Sequence, residues 1–172
     1  QSLSNFYLNS GYLDFKIINS TSDLKNNNEN IDISIQISEG IQYKLGKVTF
    51  TGEMGSQSSE KLYAMLNLKK DDIFNRQLVI DDIQKIIDLY SDEGYAFVDV
   101  NPITKDFIDT VDIEMNISLN KKVYINRITI SGNTRTQDEV VRREIGISEG
   151  GLYSRSALKK SISKLRRLGY FS

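Results

Sequence analysis

The residues best suited to chemistry in this sequence are two paired carboxylates, Asp71-Asp72 and Asp81-Asp82. Such acids can share a divalent cation or divide general-acid and general-base duties. Their spacing argues for neither. Adjacent residues on a helix project to different faces, and acids near a helix start favour its macrodipole. All four are read as structural. Histidine and cysteine are absent, which removes the commonest general base, thiolate nucleophiles, disulfides and thiolate metal sites. No P-loop, nucleophile elbow or dinucleotide fingerprint occurs. Gly52-Glu53-Met54-Gly55 has the GxxG form of an RNA-clamping loop. It precedes a helix instead of joining two, and it carries an acid where phosphate would need a base. The expectation is a protein that is not an enzyme, holds no cofactor or metal, and binds no nucleic acid.

The elements that would carry any site repeat along the chain. Gly-Tyr occurs at Gly11-Tyr12, Gly94-Tyr95 and Gly169-Tyr170, about 80 residues apart. Val48-Thr49-Phe50-Thr51-Gly52 returns as Ile128-Thr129-Ile130-Ser131-Gly132, and Asp72-Ile73-Phe74-Asn75 aligns with Gly151-Leu152-Tyr153-Ser154. Three landmarks on one period indicate tandem modules. Charge is uneven across them. Residues 1–120 hold 10 Lys/Arg against 19 Asp/Glu, and residues 121–172 hold 12 against 4. The two ends are expected to meet different neighbours. No apolar run approaches the roughly 18–20 residues of a membrane span.

The complete module, 41–120, reads as β-α-α-β-β. Tyr43–Thr51 alternates as a strand ending at Gly52, and Ser58–Asn67 has helical spacing through Leu62, Met65 and Leu66. The second helix carries Ile80, Ile83, Ile86, Ile87 and Tyr90 on one stripe, with Asn75 as N-cap and Gly94 as stop. Tyr95–Val100 reads as a strand. Val111, Ile113, Met115, Ile117 and Leu119 alternate with polar residues, so one strand face is buried and one wet. The first copy, 1–40, is partial: a helix tail, a strand through Leu13, Phe15 and Ile17, a polar turn over Asp23–Asn30, and a strand through Ile31, Ile33, Ile35 and Ile37. The last copy, 121–172, begins with a strand over Val123–Gly132. A capping box at Thr136–Glu139 opens its first helix, and Leu158, Ile162, Leu165 and Leu168 stripe its second. The few-residue junctions at Glu39–Gln42 and Asn120–Lys122 bring neighbouring modules into contact. The fold class is α+β, each module a three-stranded sheet packed against two helices.

A sheet covered on one face leaves strand edges whose free N–H and C=O groups can pair with another extended chain. The candidate edge is Tyr95, Phe97, Val98 and Asp99, with Ala96, Val98 and Val100 turned to the helices and Phe97 to the open side. The basic run Lys159-Lys160, Lys164 and Arg166-Arg167 is either a solvated face with favourable C-terminal charge or a surface for an anionic membrane or acidic protein.

The run Val123-Tyr124-Ile125-Asn126-Arg127-Ile128-Thr129-Ile130-Ser131-Gly132-Asn133-Thr134-Arg135-Thr136, continuing through Val140-Val141-Arg142-Arg143-Glu144, closely resembles the barrel-proximal POTRA domain of the BamA family of outer-membrane β-barrel assembly factors. Glu39-Gly40, Gly94-Tyr95-Ala96-Phe97 and Leu168-Gly169-Tyr170-Phe171 are similar to that family too. One departure is Leu119-Asn120, where a second Glu-Gly would stand. The resemblance covers essentially the whole chain. It implies the end of a third POTRA domain (1–40), a whole fourth (41–120) and most of a fifth (121–172), in the periplasmic part of a bacterial outer-membrane protein. It further implies partners: unfolded outer-membrane proteins, an outer-membrane barrel of the same protein, and accessory lipoproteins. A BamB-like lipoprotein would meet Tyr12–Ile18 or its hairpin partner. A BamD-like one would dock at Arg142, Arg143, Glu144 and Glu149-Gly150, so Glu149→Lys is expected to weaken it. The alternative is the POTRA region of a related transporter, of two-partner-secretion or TamA-like type, selecting one dedicated substrate.

Overall fold

The structure, a computed structural model, describes residues 2–25, 30–133 and 137–167. Its elements are α1 (Ser2–Asn9), β1 (Lys16–Lys25), β2 (Asn30–Ser38), β3 (Lys44–Gly52), α2 (Ser59–Met65), α3 (Arg76–Asp92), β4 (Asp99–Asp106), β5 (Thr110–Ser118), α4 (Asp138–Glu144) and α5 (Arg155–Arg167). β1 and β2 form an antiparallel ribbon with a bulge between Ile17 and Asn19. The second sheet has the order β3-β5-β4, so β4 is an edge strand. The strand-helix-helix-strand-strand sequence of the middle copy is thus present from β3 to β5. By contacts the chain folds as two compact units, Gln1–Thr49 with Tyr63–Asp82 and Pro102–Glu114, and Phe50–Leu62 with Ile83–Asn101 and Met115–Ser172.

β5 shows why alternation specifies a strand. Val111, Ile113, Met115 and Ile117 are all buried, while Asp112, Glu114 and Asn116 between them are part-exposed. A one-residue slip would exchange these faces, so the register is firmly specified. In the first unit, Asp82 is fully buried, and its Oδ2 accepts the N–H groups of Asn67 (2.7 Å) and Leu68 (3.0 Å) just beyond α2. Asn75 Oδ1 accepts from the N–H groups of Gln77 (2.9 Å) and Leu78 (3.1 Å), capping α3. In the second unit Tyr90 is fully buried and its hydroxyl donates to the Met54 carbonyl at 2.9 Å.

Several sequence expectations are corrected. Tyr95, Phe97 and Val98 are not in a strand; β4 begins only at Asp99. Gly94 ends α3 at φ +99°, Tyr95 N–H returns to the Tyr90 carbonyl (3.1 Å), and a turn then takes the Val98 N–H to the Tyr95 carbonyl. These bonds consume the groups a ladder would need. β4 runs on through Pro102, a residue that sheets tolerate only at edges because it lacks a donor. Leu13 and Phe15 precede β1, and Phe15 stacks on Tyr7 with centroids 4.1 Å apart. Asp23, Leu24 and Lys25 belong to β1 and Asn30 opens β2, while the rest of the expected polar turn lies outside the described residues. Ile17, Ile31, Ile33 and Ile35 are exposed, since no described helix covers that ribbon face. Ile80 is exposed as well, and Val79, Ile86 and Tyr90 carry the buried stripe of α3. Val123–Gly132 makes no strand: among the described residues its β-pairing is limited to a Tyr124–Leu152 bridge, with further backbone bonds to Gly94, Gly150 and Gly151. Gln137 is the N-cap of α4, without a side-chain capping bond, and Thr136 lies outside the described residues. Leu158 and Ile162 of α5 are exposed; Leu168 and the third Gly-Tyr lie outside the described residues.

The repeat is written most fully into the joints between copies. In the first unit, Gly11 (φ +87°) ends α1 with a Tyr12 N–H to Tyr7 carbonyl bond of 3.0 Å. The rings of those tyrosines meet edge-on, as do those of Tyr90 and Tyr95 after Gly94 in the second unit. The Gly11 carbonyl accepts the Tyr43 N–H at 2.9 Å, and the Gly94 carbonyl accepts the Val123 N–H at 2.9 Å. A Cβ at Gly11 would come within 2.9 Å of Ile73, and one at Gly94 within 2.6 Å of Leu152. Asn9 Oδ1 then accepts the Gln77 N–H (3.0 Å) at the start of α3, and Asp92 Oδ1 accepts the Ser156 N–H (2.8 Å) at the start of α5. Each copy therefore caps the second helix of the next. Asn120 stands at φ +59° where Gly40 stands at φ +74°, so the Leu119-Asn120 departure keeps the left-handed backbone that Asn tolerates best after Gly.

Burial pushes the Tyr90 hydroxyl up to about 12, from an ordinary tyrosine value of about 10. The folded chain thus keeps Tyr90 neutral where the unfolded chain ionises it, and that contribution is complete below pH about 10 and is lost as pH rises toward about 12. Urea titrations should show stability falling steeply over that window, with Tyr90→Phe flattening the fall. An equal slope in the variant refutes the assignment.

Candidate functional site

Of the surfaces singled out by sequence, the strand edge and the docking residues of the last copy are treated differently by the structure. At the first, Phe97 is 72% exposed on the turn before β4, whose own residues are exposed apart from Val100. Asn120 Nδ2 donates to the Phe97 carbonyl at 2.8 Å and holds the turn. Tyr95 lies beneath Lys122, whose Nζ is 5.2 Å from the ring centroid. Tyr95, Phe97 and Val98 therefore form a braced turn that leads into the edge. The edge itself runs from Asp99 to Asp106, so of the expected edge only Asp99 lies in the strand, which continues six residues past Val100. Beyond it Phe107 and Ile108 are exposed at the hairpin tip, and Phe107 N–H donates to the Thr110 carbonyl at 2.8 Å.

At the second surface, Arg142 and Glu149 face inward to the backbone. Glu149 Oε1 accepts the Ile128 N–H at 2.9 Å, and Arg142 Nη2 donates to the Ile128 carbonyl at 2.9 Å. The two side chains also meet, Nη1 to Oε1, at 3.4 Å. Together they satisfy both hydrogen-bonding groups of one residue, the service a neighbouring strand would render. The Ile128 N–H, and after it Arg142 and Arg127, hold the Glu149 carboxyl below the ordinary range against a smaller effect of burial. Gly150, at φ +77°, follows and donates to the Ile125 carbonyl. Arg143 is exposed and Glu144 half-buried on α4. The structure thus brings Arg142 and Glu149 together and leaves Arg143 free to face solvent.

The carboxylate pairs hold no assembled site. Asp82 caps the end of α2, Asp81 accepts from Gln77 Nε2, and Asp71 takes a left-handed φ of +70° at the loop beside Leu45. Among the described residues no three His, Cys, Asp or Glu side chains gather as metal ligands, and no helix is long and apolar enough to cross a membrane. The joint residues Asn9 and Asp92 escaped the sequence reading. Their signal was an Asx side chain in the last turn of a helix, at the module period, where such residues are seldom needed.

Residues 43–118 and 123–172 match the POTRA family, described as surface antigen variable number repeat. The chain is 32% identical to the outer membrane protein assembly factor BamA of Neisseria meningitidis serogroup B, over 99% of this chain and 22% of that protein. It is 35% identical to BamA of Nitratidesulfovibrio vulgaris, over 97% of this chain and 22% of that protein. The chain thus spans about a fifth of the length of these curated relatives. The crystal structure of Haemophilus influenzae BamA POTRA3-5 superposes with a TM-score of 0.84 at 26% identity, covering 100% of this chain and 68% of that one. BamA from Haemophilus ducreyi lacking POTRA domains 1-3 gives 0.67 at 26% identity, over 76% and 25%. With its β-α-α-β-β unit and these matches, the chain belongs to the POTRA family.

Glu149→Gln keeps an acceptor but removes the charge, and Glu149→Ala removes both. Hydrogen exchange at the Ile128 amide should quicken modestly in the first and strongly in the second, because that N–H then lacks its partner. Protection that survives in Glu149→Ala refutes the clamp.

Proposed function

We propose that this chain is a periplasmic scaffold of an outer-membrane β-barrel assembly factor, its modules bounded at 1–40, 41–120 and 121–172. It receives unfolded barrel chains and docks accessory lipoproteins, and it performs no chemistry of its own. The observation that carries this reading is the open edge at β4, exposed along most of its length in a POTRA module. Extended amphipathic segments have unpaired backbone groups to match it, and main-chain pairing serves many sequences with little side-chain discrimination. The relatives' name, outer membrane protein assembly factor, supplies the client class. The edge in this proposal is Asp99–Asp106, with Tyr95, Phe97 and Val98 as its lead-in.

For lipoprotein docking, Arg143 is the exposed charge outside the Arg142–Glu149 clamp, while Glu144 is half-buried. Any effect of Glu149→Lys on docking includes the collapse of the internal clamp, since a cation would then face Arg142 and the Ile128 N–H.

Titration with a ten-residue amphipathic peptide should shift the amide resonances of Ile103–Asp106, and the same peptide with alternate backbone nitrogens methylated should not. Equal shifts from both peptides would exclude backbone pairing. Arg143→Glu should weaken a BamD-like partner at least tenfold, about 1.4 kcal/mol, with the Ile128 amide as protected as before. Unchanged affinity in calorimetry removes Arg143 from the docking surface.

A further inference from the structure

The two joints share one hydrogen-bond plan but differ in charge. At the first, the group lent to the start of α3, beside its own cap Asn75, is the neutral amide of Asn9, supported by Gln42 Nε2 on the Ser10 carbonyl (2.9 Å) and by the Tyr43 hydroxyl on Asp14 (2.9 Å). At the second, the capping group is the Asp92 carboxylate. It accepts from the Ser154 hydroxyl (2.9 Å) as well as the Ser156 N–H. One turn earlier on α3, Asp88 meets Arg155 at 3.1 Å and Lys159 at 3.6 Å, both on α5. Gln84 Nε2 steadies Asp88 from its own helix (2.9 Å). Burial works to raise the Asp92 carboxyl, yet the Ser156 and Ser154 hydrogen bonds and the charge of Lys160 hold it below the ordinary range. Glu93, the remaining acid here, turns to Ser56 and Gln57 instead.

We infer that the second joint is latched by ion pairs and the first by hydrogen bonds, so that salt loosens the hold of α3 on α5 while leaving the hold of α1 on α3 intact, and acid loosens the second joint through the Asp92 carboxylate. The residues involved are part-exposed, which is the condition under which mobile ions compete well with an ion pair. The sign with pH follows from a depressed carboxyl. The latch is complete above the ordinary aspartate range and is lost as pH falls through the lowered value of Asp92. Arg155 and Lys159 are then spent inside the chain, and the basic character of α5 left for a membrane or acidic partner is that of Lys164, Arg166 and Arg167.

The chain has no cysteine, so nitroxide labels can be placed without background. One pair, Asp99→Cys with Ser163→Cys, reads the second joint; another, Asn19→Cys with Lys69→Cys, reads the first. At neutral pH, pulsed electron resonance should show the 99/163 distance distribution widening about twofold as salt rises to about 1 M, where screening acts over about 3 Å. The 19/69 distribution should stay unchanged. Asp88→Asn with Asp92→Asn retains an amide oxygen to cap α5, as Asn9 does for α3, and should make the 99/163 width indifferent to salt. Asn9→Asp should make the 19/69 width more sensitive to acid than in the parent. The inference is overturned by a 99/163 pair as salt-indifferent as 19/69, by a double variant that responds as the parent does, or by a helical dichroism signal that falls with the widening, which would mean that α5 melts instead of detaching.

Discussion

The carbonyl of a left-handed glycine is the point on which the arrangement turns. Gly11 and Gly94 each stop a helix by adopting a φ that side chains resist, and each then offers its carbonyl to the first extended residue of the next copy. The space where a Cβ would sit is filled by Ile73 or Leu152 of that next copy. Helix termination and inter-module seating are therefore one event. A residue with a side chain would fail twice, once in backbone strain and once in the clash with the incoming module. The Asx residue two positions before each glycine adds the second point of attachment, so each joint is fixed in two places and resists swivelling about either.

That geometry explains why a period near 80 residues was legible in the bare sequence. The joints depend on residue identity, with Gly for φ and Tyr for the edge-on ring contact, and identity is what a repeat search detects. β5 was legible for a different reason: its two faces see such different surroundings that alternation survives intact. The failures have physical causes as well. Tyr95–Val100 has strand-like composition, but the helix-ending bonds at Tyr95 and the turn at Val98 use up the backbone first. The real strand starts only at Asp99 and runs through Pro102 to Asp106, where proline is compatible with an edge position. Val123–Gly132 has the pattern of a strand, but among the described residues no strand runs beside it to build a ladder.

The candidate surfaces were legible in unequal measure. Phe97 was rightly placed in the open, although on a turn. Arg142 and Glu149 came from family resemblance, and their bonds to Ile128 are long-range pairings that local pattern does not encode. The same applies to Asp82, whose two backbone partners are 14 and 15 residues away. Carboxylates that suggested metal chemistry turn out to finish helix ends and loops, which is the commonest employment of an acid near exposed N–H groups.

Pro102 carries one more implication. An edge with every donor present would zip along the full length of a visiting strand, or of another copy of itself, and the growing ladder would be slow to come apart. A missing donor midway along β4 breaks such a zipper into short runs, each too brief to persist alone. In the proposed role, occupancy of the edge would be transient. The same missing donor protects the edge against fibril-like self-stacking.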